Sequence, residues 1–266
     1  MEYLSPHGVA GMPAWLGFVI TLAVPVLLAL GLGRLLHALF TPAEFAANAA
    51  VGAVKYGFIV EIYAVVAALT LVGSWDIYQT ARDTLQKEAS GLYMLALSVD
   101  SFVGPEFADQ RAEMRGALRA YASSVVSGDW PAMQAGAPAA ASDITFQRLT
   151  RAFLDVDGRT TGQQALGQKL GDWLGSVAEA RIARLSVVSR SLAGLIWLLV
   201  LTVSVAVIAF QWFFGGGNAA MHYTMGAVIS VIVGLVLLVS LKLAFPFVGD
   251  PALLTPRAFF ALMDVS

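Results

Sequence analysis

The stretch Asn48–Ala89, NAAVGAVKYGFIVEIYAVVAALTLVGSWDIYQTARDTLQKEA, constrains this chain more than any other. It opens as an apolar run long enough for a bilayer, carries Lys55 and Glu61 inside that run, and passes Trp75 and Tyr78 into a charged amphipathic segment. The pattern predicts one long helix that crosses the membrane and continues into water.

A hydrocarbon core takes about 20 predominantly apolar residues to span. Four stretches have that length: Ala14–Gly33, Val51–Trp75, Ser191–Phe214 and Met225–Phe247. With 58% hydrophobic and 13% charged residues, the chain lies outside the soluble range and reads as an integral membrane protein. No Lys or Arg precedes the first run, which argues for a retained span rather than a secretory signal. Trp15 and Phe18 anchor one end of it, Arg34 and His37 close the other, and Pro25 is expected to kink it. Gly33 and the sequence Thr41-Pro42-Ala43-Glu44 mark a short connection, with Thr41 capping a turn that has Pro42 at its first position. Gly215-Gly216-Gly217-Asn218 reads as a tight hairpin, with Trp212, Phe213, Phe214 and Tyr223 as an aromatic belt around it.

Between Asp76 and Arg190 there are thirteen acidic and twelve basic residues, so this block belongs in water. Its apolar residues recur at three- and four-residue intervals: Ile77, Ala81, Leu85, Ala89, Leu92, Leu95 and Val99, then Met114, Leu118, Tyr121 and Val125. Gly104-Pro105 opens a second helix and Ser127-Gly128-Asp129-Trp130-Pro131 closes it, while Met133–Ser142 reads as a mobile Ala- and Gly-rich loop. Helices follow at about Asp143–Phe153 and Gly162–Ser189, the latter introduced by a Thr161/Gln164 capping box. The expected plan is an all-α membrane protein: spans one and two in 1–75, an inserted helical domain in 76–190, spans three and four in 191–247, and a tail in 248–266. Arg82, Lys87, Arg181, Arg184, Arg190, Lys242 and Arg257 lie on the side of the charged block, and only Arg34, with Lys55 inside a span, on the other. The positive-inside rule then places both termini and the helical block in the cytoplasm, against a bacterial inner membrane.

Short strings along the chain have a family likeness. Trp75-Asp76-Ile77-Tyr78, Ala81-Arg82, Glu88-Ala89, Ala120-Tyr121, Asp129-Trp130-Pro131, Pro246-Phe247 and Gly249-Asp250 resemble the bestrophin-like bacterial membrane proteins, over about Ala49 to Met263. The four-span plan is similar to that of bestrophin ion channels. The resemblance implies a homo-oligomer, five-fold in bestrophins, with the second span lining a central pore for small ions. It puts Gly57, Glu61 and Val65 at about the three positions where that family narrows its pore with apolar side chains. Of the calcium-holding acidic stretch of animal bestrophins only Asp250 matches. One carboxylate is far short of the roughly six to eight oxygens calcium takes, so Pro246, Phe247, Gly249 and Asp250 read as a turn ending the fourth span.

Glu61 is the sharpest single feature. Counted from Val51 it lies roughly 15 Å along the span, near mid-bilayer, where a carboxylate costs on the order of 3 kcal/mol by insertion scales. A ring of such carboxylates, one per subunit, attracts cations or relays protons; the alternatives are a protonated side chain bonded to a neighbouring helix, or a span placed differently so that Glu61 lies near an interface. Gly57, Glu61 and Val65 share one helix face, although Ala53 and Gly57 also read as a small-residue stripe for close helix packing. A ring of ionised Glu repels chloride, so cation permeation is the expectation. Lys55 is about 240° around the helix from Glu61 and is expected to snorkel to the outer surface, as is Lys242 to the inner one. Trp75 and Tyr78 read as interface anchors.

Other chemistries find little support. No nucleophile elbow, phosphate loop, zinc-protease or dinucleotide motif occurs, so no enzyme activity and no cofactor are expected. Zero cysteines exclude disulfides and thiolate metal sites, and a net charge of −2 argues against a nucleic-acid partner. His7, His37 and His222 lie at ends of different segments with no partner at ligand spacing, so no metal site is expected. The alternating charges of Asp109, Arg111, Glu113 and Arg115 suggest a solvated helix face. Beside the channel stands the alternative of a non-conducting membrane scaffold or stress sensor whose cytoplasmic helices bind a partner.

Overall fold

The computed structural model describes residues 14–154, 161–189, 192–213, 218–249 and 252–264. Among them the regular structure is helical throughout. Helix α1 covers Ala14–Leu39 and α2 covers Pro42–Val99. Helix α3 is Ala108–Ser124, α4 is Trp130–Gln134, α5 is Asp143–Leu154 and α6 is Thr161–Ser189. Helices α7, Gly194–Phe210, and α8, Ala219–Ala244, precede a short α9 at Arg257–Met263. The chain divides into two compact units, 1–77 with 191–245 and 78–190 with 246–266.

The expected long helix is present: α2 runs unbroken for 58 residues, about 87 Å at 1.5 Å per residue. It starts at Pro42 rather than Val51 because Thr41 and Glu44 form a capping box. The Thr41 N–H donates to the Glu44 carboxylate at 2.8 Å, and the Glu44 N–H reaches back to the Thr41 hydroxyl at 3.4 Å. Four helical stretches are long and apolar enough to cross a membrane: Trp15–Leu39, Ala43–Val99, Gly194–Phe213 and Ala219–Ala244.

Within the first unit, α1 and α8 pack most closely. A Cβ on Gly234 would lie 2.5 Å from the Thr21 carbonyl, so the glycine is what lets the two backbones approach. The first run does not end at Gly33, as the sequence suggests, but continues to Leu39. Gly33 and Gly226 instead make room for Trp212, whose indole is fully buried between them. The expected belt residue Trp212 is therefore core, clustered with Ala29, Leu36, Phe45, Tyr63, Ala67, Val207 and Val233. Helix α8 begins at Ala219 rather than Met225, because the Asn218 side chain accepts from Ala220 N–H at 2.9 Å and caps it. It ends at Ala244, just ahead of Pro246, which cannot continue a helix. Gly215, Gly216 and Gly217 of the expected hairpin, and the side chains of Thr161 and Gln164, lie outside the described residues.

In the second unit the apolar stripes pack as their spacing predicts. Ala81, Leu92, Leu95 and Val99 of α2 and Met114, Leu118 and Tyr121 of α3 are buried. Gly104, at φ 127°, precedes a 3₁₀ turn at Pro105–Phe107 that opens α3. The sequence from Ser127 to Pro131 does not close that helix. Residues Val125–Asp129 form a π turn, in which the Trp130 N–H bonds to the Val125 carbonyl, and α4 follows directly. The wider turn absorbs Pro131, which has no N–H to give the ladder. Helix α4 ends on Gly136 at φ 69°, with Ala137 N–H on the Ala132 carbonyl and Gly136 N–H on the Met133 carbonyl. The expected mobile loop is thus shorter than Met133–Ser142 and tied at both ends, since Met133 and Ser142 are buried.

Overpacking against a clamped ring gives a direct check. Gly226→Ala and Gly33→Ala should each lower stability by about 1–3 kcal/mol, read as earlier thermal unfolding in detergent. Gly57→Ala, where an added Cβ would meet nothing within 4 Å, should leave stability unchanged or raise it.

Candidate functional site

Two groups of side chains stand out, one on α2 in the first unit and one buried in the second. On α2, Tyr63, Ala67, Thr70 and Ser74 face inward, and the Thr70 and Ser74 hydroxyls return to carbonyls one turn back. The opposite face is bare in the single chain. Val54, Phe58, Ile62, Val65, Leu69 and Val72 are exposed there, with Phe58 at 64% and Val65 at 61%. Gly57 and Glu61 lie on this face too, and both are exposed. The Glu61 carboxylate makes no hydrogen bond or ion pair among the described residues, so the protonated carboxyl bonded to another helix of its own chain is not seen. Because α2 starts at Pro42, neighbours rather than residue count set the level of Glu61. Tyr63 belongs to the buried cluster that takes Val207 from α7 and Val233 from α8. Among the described residues, a Cβ added at Gly57 would meet nothing within 4 Å. Lys55 is exposed as well, one further position on the open side of the helix.

Trp75 is 51% exposed near the end of the first unit, and Tyr78 is the first residue of the second. Lys242 does not project into open solvent: its Nζ is buried in the single chain with no hydrogen-bond partner among the described residues.

The second unit is built on a group of charges that the sequence does not single out. The Arg184 guanidinium of α6 is fully buried and donates to both Glu88 oxygens, at 2.7 and 3.1 Å, and to Asp129 at 3.3 Å. Glu88 comes from α2 and Asp129 from the π turn, and neither has solvent contact. The Tyr121 hydroxyl donates to Glu88 at 2.5 Å, and the Ser142 hydroxyl donates to Asp129 at 2.5 Å. Arg181 donates to the Ser142 hydroxyl and pairs with Asp143. Within this group Glu88, Asp129 and Arg184 each meet an opposite charge or a donor, the condition under which ions are tolerated inside a protein. Burial and the adjoining Glu88 carboxylate push the Tyr121 hydroxyl well above the usual tyrosine range. For Arg184 burial alone works against the charge, but Glu88 overrides it and holds the guanidinium above its ordinary value.

The turn after α8 docks on the same structure. Phe247 is buried edge-on to Trp130 at 5.5 Å, and the Gly249 N–H donates to the Gln134 carbonyl at 2.9 Å, with Gly249 at φ 89°. The Leu254 N–H returns to the Pro246 carbonyl at 3.2 Å, and Phe259 of α9 lies 6.0 Å under Arg184. Asp250 lies outside the described residues.

Several expectations change in consequence. Arg181 and Arg184, counted by sequence only among the basic residues on the side of the charged block, are buried in ion pairs. The alternating charges of α3 are not simply solvated: Arg111 holds the Phe102 and Gly104 carbonyls, Arg115 pairs with Asp100 at 2.7 Å, and Arg148 forks onto Glu113. That fork holds the Glu113 carboxyl below the usual range. His37 and His222, placed apart by sequence, are neighbours with ring centroids 5.8 Å apart.

A family model of the Bestrophin-like domain matches residues 21–253. The chain belongs to the bestrophin-like family. No curated protein matches it in sequence. Among solved structures it is similar to a bacterial bestrophin homolog from Klebsiella pneumoniae, a mutant crystal structure, with a TM-score of 0.68. The two share 10% identity over 93% of this chain and 97% of that one, so the likeness is one of fold. In this bestrophin-like chain most of the strings that carry the family likeness converge on one place. Glu88, Tyr121, Asp129, Trp130 and Phe247 all belong to the buried network or to the turn docked beside it.

Removing one partner leaves a buried charge unpaired. Glu88→Gln and Arg184→Met should each cost about 3–5 kcal/mol, read as loss of monodisperse protein or a large fall in melting temperature. The double variant should recover part of that loss. Tyr121 gives a pH signature. Up to about pH 10 the folded and unfolded chains both keep the phenol proton, and stabilisation is complete. Above it the unfolded chain releases the proton while Tyr121 retains it, so stability falls with rising pH until the raised folded value is passed. Tyr121→Phe should flatten that alkaline fall in a pH series of unfolding midpoints.

Proposed function

We propose that this bestrophin-like chain is one subunit of an oligomeric ion channel, with the exposed face of α2 lining the passage. The observation that carries this reading is Glu61, which stands on an apolar, exposed helix face with no hydrogen-bond or ion-pair partner among the described residues. Left against lipid, an ionised carboxylate there is unfavourable by several kcal/mol. Several copies arranged with α2 inward give it water and fill the bare face at once. Five copies are the number the family likeness implies. Family membership and the fold shared with a bacterial bestrophin homolog support a channel-like role.

Gly57, Glu61 and Val65 then follow one another along the passage, with Val65 as the apolar narrowing and Glu61 as the charge that favours cations over chloride. The four apolar helices cross a bacterial inner membrane, Trp75 and Tyr78 sit at its inner surface, and the second unit lies in the cytoplasm with both termini. The turn Pro246, Phe247, Gly249 and Asp250 ends the fourth span.

Liposome flux tests the reading. Purified protein should pass monovalent cations in preference to chloride, and Glu61→Gln should reduce that preference severalfold, a loss of about 1 kcal/mol in barrier difference. Protein that passes neither cations nor anions, with Glu61→Gln indistinguishable from it, would leave the scaffold reading in place.

A further inference from the structure

We infer that His37 and His222 form a binding site for a divalent transition-metal ion of the zinc, nickel or copper class. The site lies where the end of α1 meets the start of α8, both within the first unit.

The tautomer of His37 is set by its surroundings. Its Nδ1 lies 2.8 Å from the Gly33 carbonyl, and a carbonyl only accepts, so Nδ1 carries the proton. In the neutral ring the lone pair is then on Nε2, the arrangement found when a backbone carbonyl orients a metal-ligating histidine. The ring nitrogens of His222 make no hydrogen bond among the described residues. The two centroids are 5.8 Å apart with the rings tilted by 51°. A tetrahedral ion about 2.0–2.1 Å from each coordinating nitrogen holds two imidazole centroids about 5–6 Å apart. The observed pair is already at that separation.

The surroundings hold the rings in place. His37 stacks on Phe45 of α2 at 4.9 Å, and His222 meets the Trp212 ring edge-on at 4.9 Å. His37 is exposed and His222 half-buried, so an ion and its waters have access. No group of three or more His, Asp or Glu gathers there among the described residues, so water completes the shell. Two neutral imidazoles with water suit late first-row metals and give little to magnesium or calcium, which prefer oxygen. With no cysteine anywhere in the chain, no thiolate competes for the ion. A bound ion ties α1 to α8 against Phe45, near the start of the long helix.

The test is direct metal binding by full-length, tag-free protein in detergent, which reads out whether or not the protein conducts ions. Titration with zinc chloride should show one ion per chain, with magnesium chloride giving no heat. His37→Ala and His222→Ala should each weaken zinc binding at least about tenfold, whereas His7→Ala should bind as wild type. Copper(II) paramagnetic resonance of the unmodified protein covers the case of a variant that does not fold, and should show two imidazole nitrogens. Absence of zinc binding, zinc binding unchanged in both variants, or a copper spectrum with one nitrogen or none would each overturn the assignment.

Discussion

A guanidinium with no solvent contact holds the second unit together. Arg184 loses its hydration on burial, a penalty of several kcal/mol that only close, well-aligned anions offset. Those anions come from places far apart in sequence: Glu88 on α2 and Asp129 on the π turn, with Tyr121 completing Glu88 and Ser142 completing Asp129. Phe259 and Phe247 carry the C-terminal segment onto the same centre. Buried ion pairs are weak evidence for raw stability, since a well-packed apolar substitute often does as well. Any arrangement that separates its members strands a buried charge.

The same backbone that supplies Glu88 also presents Glu61. Helix α2 contains both residues, Glu61 in its part of the first unit and Glu88 in its part of the second. The two acidic residues have opposite circumstances. Glu88 is wholly enclosed and paired with Arg184, whereas Glu61 is exposed and has no partner among the described residues. The first is explained within a single chain.

Much of the fold was legible because hydrophobic spacing reports burial directly. The stripe from Ala81 to Val99 and the stripe from Met114 to Val125 pack as written, and the four apolar runs reappear as four long helices. Boundaries were less legible. Gly33 looked like a stop because glycine often ends helices, yet it accommodates the Trp212 ring, a contact with a residue far along the chain. The segment from Ser127 to Pro131 looked like a terminator, but a π turn accepts a proline that a regular α turn would not. The charged network is not legible in the sequence as such, because its members Glu88, Asp129 and Arg184 lie far apart along the chain. The signal lay in the register of Arg184: it continues the buried positions Leu170, Leu174, Val177 and Ala180 of α6, as Glu88 does on α2.

Sequence alone determined the membrane character, the helical class, the unbroken α2 and the family likeness, because each depends on local composition or spacing. Tertiary structure decided which charges are enclosed, which glycines are spacers rather than ends, and that His37 and His222 meet. The physical reason is range. Periodicity reflects a residue's own helix, whereas the partner of a buried ion or the ring filling a glycine's notch comes from elsewhere in the chain, and only folding brings it there.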